Sequence, residues 1–306
     1  GIEGASGRGP SARAPMVAAR RKGQSAGQAA PVSKRRRTAS GAASSAVASA
    51  AAPEEEQEWS YDRLWDAPGL ADGWHSRNLR FWRSQGANLR GATGGGVSKL
   101  DVAFSRKALE ALAQKREGKR FSCALDCGAG IGRVSDNVLR LQCDHIDLVE
   151  FAQKHLAKAK ERLPAKGKAG CTFKFHNASM QKFAIKSGRY DLVWCQWLLM
   201  YLTDADALDL LRRAGSGLAA GGVLVVKENI STPEKCTYFD DADGELWEEG
   251  DGGAPVSCVR TALHYEDLFQ RAGLRVREER VQKDLGPENM EMALYALVPE
   301  TAAALS

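Results

Sequence analysis

The chain has 306 residues, 43 Lys and Arg against 38 Asp and Glu, and a formal net charge of +5. That length suits one folded domain plus an extension, and the lack of any apolar run near about 18 residues excludes a membrane-spanning helix. Seven cysteines with no C-x-x-C pair and no secretory signal exclude a disulfide-built secreted scaffold and point to a reduced, intracellular protein.

Residues 1–58 read as a tail. Positions 1–53 hold nine basic residues and one acid, Glu3, among Ala, Gly, Ser and Pro, with no aromatic residue. Such a segment cannot bury enough apolar surface to offset its ordering entropy, so disorder is expected. Arg20-Arg21-Lys22 and Lys34-Arg35-Arg36-Arg37 are spaced as a bipartite nuclear localisation signal; an organellar transit peptide or an anion-binding arm are the alternatives. Of the chain's 43 basic and 38 acidic residues, 34 and 37 lie beyond position 53. The folded body is therefore slightly acidic, and the basic total implies no specific nucleic-acid groove in it.

Residues 59–121 form a second region, rich in tryptophan (Trp59, Trp65, Trp74, Trp82), with a helical pattern near 99–115 and a glycine run at 94–96. From 122 to 300 strand-like runs at 122–127, 145–150, 171–177, 190–197 and 222–229 alternate with helix-like runs at 133–142, 151–163 and 204–218. This alternation predicts a parallel sheet covered on both faces. A helix near 263–272 and strands at 274–283 and 290–298, joined by Leu285-Gly286-Pro287-Glu288, predict a closing hairpin. The expected fold is α/β: a Rossmann-like class I methyltransferase fold, with seven strands, mostly parallel, and a C-terminal β-hairpin. The region at 59–121 is expected to fold over the ligand edge as a helical lid.

The chemistry concentrates after the first strand, in Leu125-Asp126-Cys127-Gly128-Ala129-Gly130-Ile131-Gly132-Arg133. Glycines at alternate positions let the backbone approach a ligand at a helix start. The G-x-G-x-G spacing differs from the dinucleotide G-x-G-x-x-G and points to S-adenosylmethionine. Glu150, closing the second strand, stands where such folds hold a ribose diol; capping of the next helix is the plainer role. The five histidines are scattered, and no metal site is expected.

Over Val97–Val298 the chain resembles the protein N-terminal methyltransferases, which modify the α-amino group of proteins beginning Xaa-Pro-Lys or Xaa-Pro-Arg. The resemblance rests on the glycine motif together with Trp194-Cys195-Gln196-Trp197, Val226-Lys227-Glu228-Asn229, Phe239-Asp240-Asp241-Ala242-Asp243 and Ser257-Cys258-Val259-Arg260. It implies S-adenosylmethionine as cofactor and protein substrates with free N-termini, with no metal and no membrane. Gly128, Gly130, Arg133, Glu150, Met180, Gln181 and Gln196 are the cofactor candidates. Arg133 suits the methionine carboxylate, and Met180 with Gln181 the adenine. Trp82, Trp197 and Tyr201 are candidates for the substrate wall, since aromatic faces suit a cationic tip. The resemblance also implies that Asn229 and Asp240 hold the incoming N-terminus and that Asp243 is the catalytic base.

Departures from the family pattern fall at the substrate side. An insertion at 244–256 separates Asp243 from Ser257 and offers Asp251 as a rival base. Thr93-Gly94-Gly95-Gly96 replaces a Gly-Gly-aromatic-Gly pattern, and Tyr201 replaces a histidine. Alternatives to the N-terminal activity are methylation of a small-molecule amine or another protein site, and a non-catalytic binding module.

Overall fold

The computed structural model describes residues 65, 71–93, 96–163, 170–231, 255–285 and 290–300, and the backbone of 237–240. Three helices come first: α1 (Trp74–Ser84), α2 (Leu89–Thr93) and α3 (Ser98–Gln114). Then follow β1 (Ala124–Cys127), α4 (Arg133–Asn137), β2 (His145–Val149), α5 (Gln153–Arg162), β3 (Thr172–His176), β4 (Tyr190–Gln196), α6 (Asp204–Gly217) and β5 (Leu218–Asn229). β6 (Thr237–Asp240), β7 (Pro255–Val259), α7 (Ala262–Arg271), β8 (Leu274–Gln282) and β9 (Met292–Pro299) complete the order.

Seven strands form one sheet in the order β3-β2-β1-β4-β5-β9-β8. The first five are parallel, and β9 runs antiparallel to both β5 and β8. β1 and β4 are buried along almost their whole length, as continuous apolar strands covered on both faces must be. One face packs against Leu210 and Leu211 of α6 and Leu268 and Phe269 of α7; the other packs against Leu109 and Leu112 of α3 and Ala159 of α5. α6 and α7 begin at threonine caps: Thr203 accepts the Asp206 N–H and Thr261 the His264 N–H.

Three local features differ from the sequence expectation. The run 133–142 is not one helix: Val138 takes φ −125°, and the chain continues as a 3₁₀ turn at Leu139–Leu141. The sequence predicts no strand between 229 and 263, yet a separate two-stranded antiparallel ladder, β6 with β7, forms there. Its pairing of Asp240 with Pro255 places the last two residues of the expected insertion in β7. Finally, α1 precedes the one helix, near 99–115, that the sequence predicts within 59–121; it buries Trp74, Arg77, Asn78 and Phe81 at helical spacing. Six cysteines are free among the described residues, and no described helix is long and apolar enough to cross a membrane.

One buried ion pair ties α3 to the sheet. Lys227 of β5 is fully buried, and its Nζ donates to Asp101 Oδ1 (2.6 Å), Ser105 Oγ (3.1 Å) and Gln282 Oε1 (2.9 Å). Burial pushes the Asp101 carboxyl up, but Arg133 and Lys227 beside it hold it below the usual carboxylate range. Removing one partner of such a pair leaves an uncompensated buried charge. Asp101→Ala is therefore expected to lower the unfolding free energy by about 3–5 kcal/mol, read from the urea midpoint at unchanged m-value. A loss under about 1 kcal/mol would show that the pair contributes no more than a surface one.

Candidate active site

In an open parallel sheet ligands bind beyond the carboxyl ends of the strands, where the strand order reverses. Here β1 lies between β2 and β4, and the cleft opens at that point. It is lined by Gly128, Gly130, Arg133, Glu150, Met180, Gln181 and Gln196 on one side. Trp82, Trp197 and Tyr201 line it as well, so ten of the thirteen residues singled out in the sequence meet in one cleft.

The loop after β1 is shaped by its glycines. Gly130 has φ 54°, a left-handed backbone, and a Cβ there would project into open space where the loop borders the cleft. Gly132 is needed for packing instead: a Cβ would meet Leu163 Cδ1 at 2.9 Å and Ala159 Cβ at 3.1 Å. Asp126 braces this loop from below, accepting from Ser135 Oγ (2.6 Å), and burial pushes its carboxyl up to about 6.

Glu150 caps the next helix and also braces the glycine loop, with its side chain at the cleft. Oε2 accepts the Gly130 N–H (2.9 Å), while Oε1 accepts the Ala152 N–H (2.6 Å) at the start of α5. Burial pushes it up to about 7, against the pull of those two amides. Arg133 engages Asp101 through Nη1, with its guanidinium 5.0 Å from the centre of the Trp197 ring. Gln196 donates to Asp101 Oδ1 (2.8 Å) and accepts from Trp194 Nε1 (3.1 Å). Met180 is buried, and Gln181 meets His75 of α1 across the mouth at 3.4 Å.

The opposite wall is aromatic. Trp82 packs edge-on to Tyr201 (5.0 Å between centroids) and to His155 (6.2 Å), and Phe81 stacks behind Tyr201 at 6.3 Å. Helix α1 is fastened there by Trp74 Nε1 to the Tyr201 carbonyl (2.9 Å) and by Arg77 Nε to the Pro255 carbonyl (3.1 Å). Asn229 is buried at the end of β5, where its Oδ1 accepts from Trp197 Nε1 (3.2 Å); it sits behind that indole and not on the cleft surface. Asp240 ends β6, and only its backbone is described; Asp243, Asp251, Gly94 and Gly95 lie outside the described residues.

Two participants were not foreseen. Asp101 joins Arg133, Gln196 and Lys227; its signal was an acid inside the buried stripe Ser98, Asp101, Ser105, Ala108, Leu112 of α3. His155 is buried in the cleft, its Nε2 at 3.3 Å from the Gln85 carbonyl. Away from the cleft, strand register brings the ligand atoms of Cys123, His145 and Asp147 within 4.8 Å of one another. Asp147 is already paired with His176 (2.9 Å), Arg189 (3.0 Å) and Tyr190 (3.1 Å), which makes this a satisfied polar cluster.

The cleft fits S-adenosylmethionine in its donor set: an open glycine backbone, a buried carboxylate, an apolar floor at Met180 and an arginine at the helix start. Sheet order and cleft together define a class I S-adenosylmethionine-dependent methyltransferase. The profile of the AdoMet-dependent proline di-methyltransferases matches residues 71–298, and the chain belongs to that family. It is 33% identical over 240 residues to alpha N-terminal protein methyltransferase 1 of Oryza sativa subsp. indica, covering 76% of this chain and 74% of that protein. It is 30% identical to N-terminal Xaa-Pro-Lys N-methyltransferase 1 of Mus musculus, covering 73% and 94%. The structure of a SAM-dependent methyltransferase from Leishmania major is similar at TM-score 0.65 and 31% identity, covering 77% of this chain and 90% of that one.

The position of Glu150 at the cleft predicts a pH dependence of cofactor binding. Its carboxyl is charged above about 7 and neutral below, so affinity for S-adenosylhomocysteine is expected to weaken as pH falls through that value. Glu150→Gln should weaken binding about tenfold, or ~1.4 kcal/mol, and flatten that pH dependence. Calorimetric titration at pH 6 and pH 8 checks both; an equal pH dependence in the variant would remove Glu150 from the ligand contact.

Proposed function

We propose that this methyltransferase acts on the free α-amino group of protein N-termini of the Xaa-Pro-Lys or Xaa-Pro-Arg type. The observation that carries this reading is the aromatic wall of Trp82, Trp197 and Tyr201, open to the cofactor cleft, with Asn229 directly behind Trp197. The naming of the mouse relative for Xaa-Pro-Lys N-termini supports it. Such a wall accommodates a proline ring and a terminal ammonium, through apolar contact and cation–π attraction.

S-adenosylmethionine, when bound, supplies an electrophilic methyl group. Gly128, Gly130, Glu150, Met180, Gln181, Arg133 and Gln196 would hold it along the cleft. The chain itself must deliver a neutral amine, because an α-ammonium with a pKa of about 7.7–8.0 has no lone pair to donate. In this reading Trp82, Trp197 and Tyr201 exclude water, Asn229 acts on the incoming N-terminus through the Trp197 indole it holds, Asp240 steadies the N-terminus, and Asp243 accepts its proton directly or through water. The paired basic clusters at 20–22 and 34–37 lie outside the described residues and support a nuclear location as a further part of the proposal.

Labelled methyl transfer to a Ser-Pro-Lys-initiated peptide, with an N-acetylated copy as control, tests the substrate. Labelling of the free peptide alone is expected; labelling of both copies, or of neither while the cofactor binds, sinks the α-amine assignment. Asp243→Asn is expected to lower kcat by about 10²–10⁴-fold with cofactor affinity retained. Turnover close to that of the unaltered protein would move the base to another residue.

A further inference from the structure

Next to Asn229 stands a carboxyl that the chemistry above does not use. Glu228 is fully buried at the end of β5. Its Oε1 accepts the backbone N–H groups of both Leu198 (2.7 Å) and Leu199 (2.8 Å), while Oε2 has no hydrogen-bond partner among the described residues. Burial pushes it up to about 7, against the pull of those amides and of Arg260, and the Tyr201 hydroxyl is the other titratable group it faces.

The turn that Glu228 holds, Trp197 to Leu202, carries the aromatic wall. Trp197 stands at φ 51°, a left-handed backbone that costs a non-glycine residue strain. Strain of this kind persists where the surroundings over-determine it, and here they do. The Trp197 N–H donates to the Lys227 carbonyl (3.0 Å). Arg260, following β7, donates to the carbonyls of Leu199 (2.8 Å) and Leu202 (2.7 Å), and Trp74 of α1 donates to that of Tyr201. The carbonyls of the turn are thus held by Arg260 and Trp74. Two of its consecutive amides depend on one oxygen, that of Glu228.

Resting on the α-amine reading above, we propose that Glu228 is a positioning residue for the methyl-accepting amine. By accepting the Leu198 and Leu199 amides it keeps Trp197 and Tyr201 facing the cleft and the Trp197 indole on Asn229. A buried amide without a partner carries the full desolvation penalty, so loss of this acceptor lets the turn shift.

Glu228→Gln keeps an acceptor oxygen at the same reach, whereas Glu228→Met keeps the volume and removes the acceptor. Peptide turnover per S-adenosylhomocysteine-binding site is expected to fall about tenfold or more in Glu228→Met, while affinity for S-adenosylhomocysteine stays within about threefold. Glu228→Gln should recover most of that turnover. Amide exchange across 197–202 should speed up in Glu228→Met and not in Glu228→Gln, a readout that needs no substrate.

Unchanged peptide kinetics in Glu228→Met overturns the proposal, as does a Glu228→Gln variant equally impaired. Parallel loss of S-adenosylhomocysteine binding also overturns it, by making the role purely structural. Where Glu228→Met does not accumulate as folded protein, Glu228→Ala takes its place, since it lets water reach the two amides; failure of both to bind S-adenosylhomocysteine counts against the proposal. Failure of the unaltered protein to label the peptide strikes the substrate reading, and the exchange comparison still decides Glu228.

Discussion

The carboxylate of Asp101 lies where three parts of the molecule converge: α3 from the N-terminal extension, the helix start after the glycine loop, and the ends of β4 and β5. Its two oxygens take Arg133 on one side and Gln196 with Lys227 on the other. Asp101, Arg133 and Lys227 are all buried, so their charges are met by protein groups instead of solvent. The cleft inherits its geometry from that arrangement. Arg133 and Gln196 face the cleft because their other sides are committed to Asp101, and the extension cannot separate from the sheet without exposing the pair.

A second set of constraints shapes the opposite wall. The short turn after β4 bears Trp197 and Tyr201, and its backbone polar groups are met by side chains from elements far apart in sequence: Glu228 of β5, Arg260 beyond β7, and Trp74 of α1. Helix α1 also reaches the first residue of β7, through Arg77 and Pro255. The strand β7 that begins there is thus hydrogen-bonded to the helix that covers the wall.

Much of this was legible in the chain. The strand–glycine–helix run at 122–137, the acidic end at Glu150 and the β-strand spacing that followed foretold the sheet and the position of the cleft. Local chemistry accounts for that success: glycine at a left-handed position and apolar runs in strands are properties of the residues themselves. Less legible were α1, whose Trp74 is buried and hydrogen-bonded to the Tyr201 carbonyl 127 residues away, and the β6–β7 ladder, whose strands have no apolar alternation of their own. The break at Val138 was also missed, because the surrounding residues keep a helical composition while the backbone does not.

Sequence alone settled the residue types that can hold a nucleoside-bearing cofactor and their order along the chain, because those requirements are local in backbone and spacing. It did not settle which polar residues would be buried together. Asp101 belongs to no motif in the sequence, and Lys227 and Glu228 stand there only as part of a strand and a family match; their burial together comes from the fold. Their partners come from α3, β4, β5 and the turn after β4, and a one-dimensional pattern cannot record a desolvation that depends on four elements meeting.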